Sequence, residues 1–260
     1  VPSRSVCPTM SDIERPRYIP VLLLDRQRRL VKTVAFGERT YVGDPFNVIR
    51  LFNEKEVDEL CILDIDAGRD GYEIDHGFVA ELAGECFMPL AYGGGLRDVR
   101  QCAPLVRNGV EKFVLGAGTT NPALIGALAG VYGSSSVVAC VDYRGGHAFV
   151  DGGQRDTGLS PLALAKAAVA AGAGEVIIQS IERDGARTGM DLAMIGTVAA
   201  ELPVPVIALG GAGEVAHLAE AIDAGAAAAA SGSTFSFIGR LRAVLVTYPE
   251  DLTDKTGGAP

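Results

Sequence analysis

Short apolar runs alternate along this chain with stretches whose apolar residues recur at helical spacing. The runs are Tyr18–Leu24, Leu60–Ile65, Pro89–Tyr92, Phe113–Leu115, Val137–Val141, Val176–Ile178, Val204–Leu209 and Ala227–Ala230. Between them, Pro45–Asn53, Val99–Asn108, Pro122–Tyr132, Pro161–Ala171 and Val215–Ala224 carry the spacing of helices packed on one face. A strand that is apolar on both faces must be covered on both, which is the environment of a parallel sheet flanked by helices. Eight such runs in 260 residues therefore predict a closed (β/α)8 barrel, whose usual size is about 250 residues, rather than an open sheet. Asn121 before Pro122, and Ser160 before Pro161, are helix starts with Pro at the first helical position.

The pattern also repeats. Glu59 and Glu175 lie 116 residues apart, as do Gly94-Gly95 and Gly210-Gly211, Val99 and Val215, and Gly116 and Gly232. Arg69-Asp70-Gly71 and Arg183-Asp184-Gly185 recur at an offset of 114. A shared offset of this kind predicts two half-barrels of four strands each. The expected organisation is a loose leader over residues 1–15, one barrel over 16–250 and a loose tail over 251–260.

Composition narrows the function classes. A net charge of −9 argues against a nucleic-acid partner, which needs a basic face. The five cysteines, Cys7, Cys61, Cys86, Cys102 and Cys140, are odd in number and lack C-x-x-C spacing. They read as buried thiols in a reducing, cytoplasmic setting rather than as disulfides or a zinc site. The three histidines are not grouped like ligands, so no metal is expected. No apolar run is long enough to span a bilayer. Nor does any strand–GxGxxG–helix unit precede a suitably placed acid, so no dinucleotide or other cofactor is expected.

Glycines crowd four strand ends. Tyr92-Gly93-Gly94-Gly95 closes the third run and Gly116-Ala117 the fourth; Gly210-Gly211 closes the seventh and Gly232-Ser233 the eighth. Glycine lets backbone approach an anion closely, and a following helix N-terminus points free N–H groups at it. In each half, two adjacent strand ends could form one phosphate cradle, and a barrel's preferred phosphate site lies after strands seven and eight. Two opposed cradles imply a long ligand with a phosphate at each end. The competing reading is that these glycines only make tight turns.

RYIPVLLL, the LDID at 63–66, the YGGG at 92–95, SIERDG at 180–185 and LGGAG at 209–213 together resemble the cyclase subunit of imidazole glycerol phosphate synthase, from about Arg17 to Pro249. That resemblance implies a barrel that takes ammonia from a partner glutaminase docked on its N-terminal face. It further implies closure of an imidazole ring on a bis-phosphorylated ribonucleotide. Of the family's two essential carboxylates, the one on strand five corresponds to Asp142, although an acid there also suits a plain polar strand end. The one on strand one corresponds to Leu23, which cannot transfer a proton. Asp25 is a candidate substitute, sharing Leu23's face if the strand continues but roughly 6.6 Å farther along it. Asp64 and Asp66 are more remote candidates. On strand four the family's Asn-Thr is Gly116-Ala117.

At the opposite end, Arg17, Glu59, Lys112 and Glu175 match a ring of alternating charge that gates ammonia entry in the family; as strand-start charges they also suit a plain surface. Lys32 matches a mobile-loop lysine and Asp184 a strand-six loop acid. The ending GSTFSFIGRLRAVLVTYP resembles a diverged branch found with surface-polysaccharide genes, whose members work with a glutaminase and a sugar amidotransferase making acetamidino sugars. The resemblance thus leaves three functions open: ammonia supply for sugar amidation, authentic cyclase and lyase activity in histidine synthesis, and non-catalytic activation of a glutaminase.

Overall fold

A computed structural model describes residues 16–69, 72–238, 243–244, 248–249 and 252. The 1–15 leader, Asp70 and Gly71 of the repeat, and the 251–260 tail apart from Leu252 lie outside the described residues. Eight strands form the barrel: β1 (Arg17–Leu24), β2 (Leu60–Asp64), β3 (Leu90–Gly93), β4 (Val110–Leu115), β5 (Val137–Arg144), β6 (Glu175–Ser180), β7 (Val206–Leu209) and β8 (Ala228–Ser231). Each is parallel to both neighbours in the order β6-β7-β8-β1-β2-β3-β4-β5, and β5 pairs β6 to close the circle. This is the (β/α)8 barrel that the apolar runs predict.

Seven described helices wrap it: α1 (Pro45–Glu54), α2 (His76–Glu85), α3 (Val99–Arg107), α4 (Pro122–Tyr132), α5 (Pro161–Ala171), α6 (Leu192–Glu201) and α7 (Val215–Asp223). Asn121 and Ser160 cap α4 and α5 through side-chain bonds to Leu124 N and Ala163 N. The helices α2 and α6, which carry little amphipathic signal, begin instead at Asp75 and Asp191, whose carboxylates accept from Phe78 N and Met194 N. Phe52, Leu82, Leu105, Leu128, Val198 and Leu218 face the sheet and are fully buried, each contributing about 1.5–3 kcal/mol of apolar burial.

The repeat is structural. β3 and β7 are four-residue strands 116 positions apart, and α3 and α7 are nine-residue helices at the same offset. Alternation splits the apolar residues into two cores. An outer one lies between sheet and helices. An inner one fills the barrel with Ile19, Cys61, Val114, Val138, Ile177 and Ile207 among others.

Two β-hairpins rise from the C-terminal ends of the strands, one in the β1–α1 loop (Leu30–Lys32 with Thr40–Gly43) and one that extends β5 (His147–Val150, then Arg155–Asp156). The β1 hairpin reaches the loop after β6, where Ala35 N donates to Asp184 O at 2.9 Å.

Candidate functional site at the two ends of the barrel

At the N-terminal end, four side chains form a closed ring. Arg17 donates to Glu59 at 2.5 Å and to Glu175 at 2.8 Å. Lys112 donates to the same two carboxylates at 3.0 and 2.9 Å. Charge alternates around the ring, so each carboxylate meets two cations and each cation two carboxylates. Glu59 and Glu175 are buried. Arg17 and Glu175 begin their strands and Glu59 directly precedes β2. Lys112 is the third residue of β4 rather than its first, because β4 starts at Val110 opposite Leu90 and the register then shifts between Leu90 and Ala91.

At the C-terminal end, Asp142 stands inside the barrel near the end of β5, half-buried and paired in register with Gln179 of β6. The thiol of Cys140 donates to its carboxylate at 3.4 Å. Burial pushes the Asp142 carboxyl up to about 7; the Cys140 thiol pulls the other way, and the nearby charge of Asp184 adds to the rise. Asp142 therefore titrates near neutrality, where a group that both gives and takes protons is most effective.

Leu23 points into the barrel and packs on the inner core beside Leu63. Among the described residues, no carboxylate takes its inward place. The strand ends at Leu24, so Asp25 does not continue the inward face as a substitute acid would have to. Its carboxylate instead closes a turn, accepting from Gln27 N and Arg29 N at 3.0 Å and from the Arg29 guanidinium at 2.7 and 2.9 Å. Asp64 follows inward-facing Leu63 and so turns outward, where it accepts from Asp66 N and Ala67 N. Asp66 is held by Arg39 at 2.6 and 2.7 Å, which lowers its pKa.

The glycine turns recur in shape. Gly94 and Gly210 have φ of +128° and +93°. A Cβ on Gly94 would collide with the Asp64 carbonyl oxygen; one on Gly210 would meet the Ser180 carbonyl oxygen at 2.7 Å. Asp64 and Ser180 are themselves repeat partners, so the same close approach of two strand ends is built twice. Gly95 and Gly211 also have positive φ.

The surroundings of the two cradles differ. Gly116 and Ala117 are exposed at the start of a short 3-10 turn, whereas Ser233 is buried and Gly232 partly so. Lys32 descends from the β1 hairpin onto the second cradle, donates to Val21 O at 2.7 Å and occupies the space that a Cβ on Gly232 would need. Burial lowers the pKa of this ammonium to about 8, against the pull of Asp184. Asp184 accepts from the Thr33 hydroxyl at 3.0 Å. Burial raises its pKa, while Thr33, Lys32 and Gln179 oppose the rise.

Lys32, Thr33, Asp184, Gly232 and Ser233 line a pocket at the ends of β6, β7 and β8, together with Gln179, Gly185, Gly210, Gly211, Ala212, Ser231 and the apolar Val21, Leu23 and Leu209. Thr33, Cys140, Gln179 and Leu209 did not stand out in the sequence. Only Gln179 and Leu209 carried a usable signal, as residues near the C-terminal ends of apolar strands. Among the described residues, no group of three or more His, Cys, Asp or Glu is gathered as metal ligands would be, and no helix is long and apolar enough to cross a membrane.

Comparison with known proteins agrees with this geometry. A family described as "Histidine biosynthesis protein" matches residues 17–241. A Pseudomonas aeruginosa protein, provisionally named imidazole glycerol phosphate synthase subunit hisF2, is 48% identical over 243 residues, covering 91% of this chain and 96% of the relative. A Leptospira borgpetersenii protein with a provisional name as subunit HisF is 41% identical over 249 residues, 93% of this chain and 97% of its own. The imidazole glycerol phosphate synthase subunit HisF of Frankia casuarinae is 40% identical over 235 residues, 87% and 92% of the two chains.

Proposed function

The chain belongs to the histidine biosynthesis protein family, and from that premise we propose that it is a HisF-like barrel subunit that receives ammonia from a glutaminase at its floor and has given up imidazole ring closure. The observation that carries the proposal is the inward-facing Leu23, beside which no described carboxylate stands in for the lost acid. The intact floor ring supports the retained half of the reading. Ammonia would enter where Arg17, Glu59, Lys112 and Glu175 meet, and would rise through the apolar interior to a mouth where Asp142 remains as the proton-transfer group.

The proposed use of that ammonia is amidation of a surface sugar by a partner amidotransferase. This finer step rests on the resemblance of the C-terminal segment to the surface-polysaccharide branch. The decisive experiment expresses the chain with a glutaminase partner in a strain lacking its own cyclase subunit. No growth without histidine is expected, and growth would overturn the proposal.

The second reading is an authentic cyclase and lyase of histidine synthesis. It is favoured by the near-neutral titration of Asp142 and by the plainly named HisF relatives. Turnover of the bis-phosphorylated substrate with ammonium salt, by the purified chain alone, would establish it. A purely activating role toward a glutaminase would show itself differently: Asp142→Asn would leave pathway output unchanged, while Glu59→Ala would reduce it.

A further inference from the structure

One buried thiol at the mouth has no task in the proposed function. Cys140 lies two residues before Asp142 on β5, on the same inward face. It donates to Asp142 Oδ1 at 3.4 Å. Gln179 Oε1, on neighbouring β6, is a second acceptor at 3.8 Å. Burial, and then the charge of Asp142, push the Cys140 thiol well above its ordinary range. It therefore keeps its proton near neutral pH and acts as a donor, not as a thiolate.

The thiol has one hydrogen for two acceptors. The Gln179 side chain also bonds Asp184; a carboxylate accepts, so the amide turns its NH2 to that acid and its oxygen to the thiol. An ionised carboxylate is the stronger acceptor of the two. The hydrogen thus goes to Asp142 when Asp142 is charged and is free to turn to Gln179 when it is not. A bond made to the charged form favours that form. Among the described residues, no other side chain donates to this carboxylate. Asp184, from the loop after β6, is a like charge that opposes ionisation, and Lys32, from the β1 hairpin, acts on Asp184. Arg144, next on the inward parity of β5, turns instead to Phe149 and to Gly153 O. The facing strands β1, β2 and β4 contribute Leu23, Leu63, Cys61 and Val114 to the inner core.

We propose that Cys140 is a positioning residue for Asp142: its thiol holds that carboxylate inward and in the ionised form that accepts a proton. This rests on the reading of Asp142 as the proton-transfer group of the mouth. Without the thiol, burial and Asp184 act unopposed, and the carboxyl stays largely protonated at pH 7, where it cannot serve as a base.

The test labels the chain with aspartate carrying carbon-13 at Cγ and follows the carboxyl signals by NMR as pH is raised. The Asp142 signal is the one missing from Asp142→Asn. Cys140→Ala and Cys140→Val both remove the donor, and each should move the Asp142 midpoint upward by about 0.5–1 pH. Cys140→Ser keeps a donor and should leave the midpoint at or below that of the unaltered chain. A disturbance of packing alone would not separate serine from alanine and valine in this way. Circular dichroism checks folding, and either donor-free variant suffices if the other does not fold. A midpoint unchanged in the donor-free variants, or raised as much by serine as by alanine, would overturn the inference. These midpoints are read without substrate or partner. Whether Asp142 transfers protons is read separately, from pathway output with Asp142→Asn.

Discussion

At the floor of the barrel, four charged side chains satisfy one another in a closed ring; at the mouth, the inward Asp142 carboxylate lies near Asp184, whose pocket is also lined by Leu23 and Leu209. The two ends share the same strands but are separated by the apolar inner core, so each can change without disturbing the other. Their constraints differ in kind. Removing one member of the ring leaves its partners' buried charge unbalanced, a cost of about 3–5 kcal/mol for a fully buried pair. Replacing an acid by leucine in an apolar barrel carries no such penalty, since it removes a charge that burial disfavours. A floor that resists single changes and a mouth that accepts them is the pattern expected of a fold kept for one task while another lapses.

The largest effect should come from undoing the change at the mouth. If Leu23 stands where ring closure needs an acid, Leu23→Asp should raise turnover of the bis-phosphorylated substrate with ammonium salt by about 10²–10⁴-fold, the usual contribution of one acid–base group. An unchanged rate would mean that the two ends differ by more than this one carboxylate.

Next in size is the floor. Glu59→Ala should lower stability by about 2–3 kcal/mol in urea titration, less than for a fully buried pair because Arg17 and Lys112 keep some solvent contact. Asp142→Asn at the mouth should not destabilise. Equal losses at the two positions would erase the contrast.

The cradle turns sharpen it further. Gly94→Ala should cost roughly 2 kcal/mol, through its positive φ and collision with the Asp64 carbonyl, whereas Gly116→Ala, with nothing within 4 Å of a new Cβ, should stay within about 0.5 kcal/mol. Thermal or urea melts of the two variants decide this.

The smallest effect is in pH. Between about pH 4, where an unfolded aspartate titrates, and about pH 7, where folded Asp142 does, the native chain binds a proton that the unfolded chain has released. Stability due to this group therefore falls as pH rises through that window. At pH 8, Asp142→Asn should be more stable than the unaltered chain by on the order of 1–2 kcal/mol, a difference that closes below pH 4. A pH-independent difference would remove Asp142 from the list of groups shaped by burial.

Periodicity alone determined the barrel. Short apolar runs such as Val137–Val141, alternating with helical stretches, read as strands covered on both faces, and the 116-residue offset announced two similar halves in which β3 matches β7 and α3 matches α7 in length. The inward aim of Leu23 was also readable, because side chains alternate along a strand. Three matters waited for the folded chain. Asp25 shares Leu23's parity in sequence, yet the strand stops at Leu24 and a turn ties the carboxylate to Arg29. Lys32 is one lysine in a polar loop until the β1 hairpin folds back and lowers it onto Gly232. The floor ring joins residues as far apart as Arg17 and Glu175, 158 positions along the chain. Local pattern reports which face a side chain occupies; where a strand stops and which distant groups then meet is decided by closure of the sheet, which has no local signature.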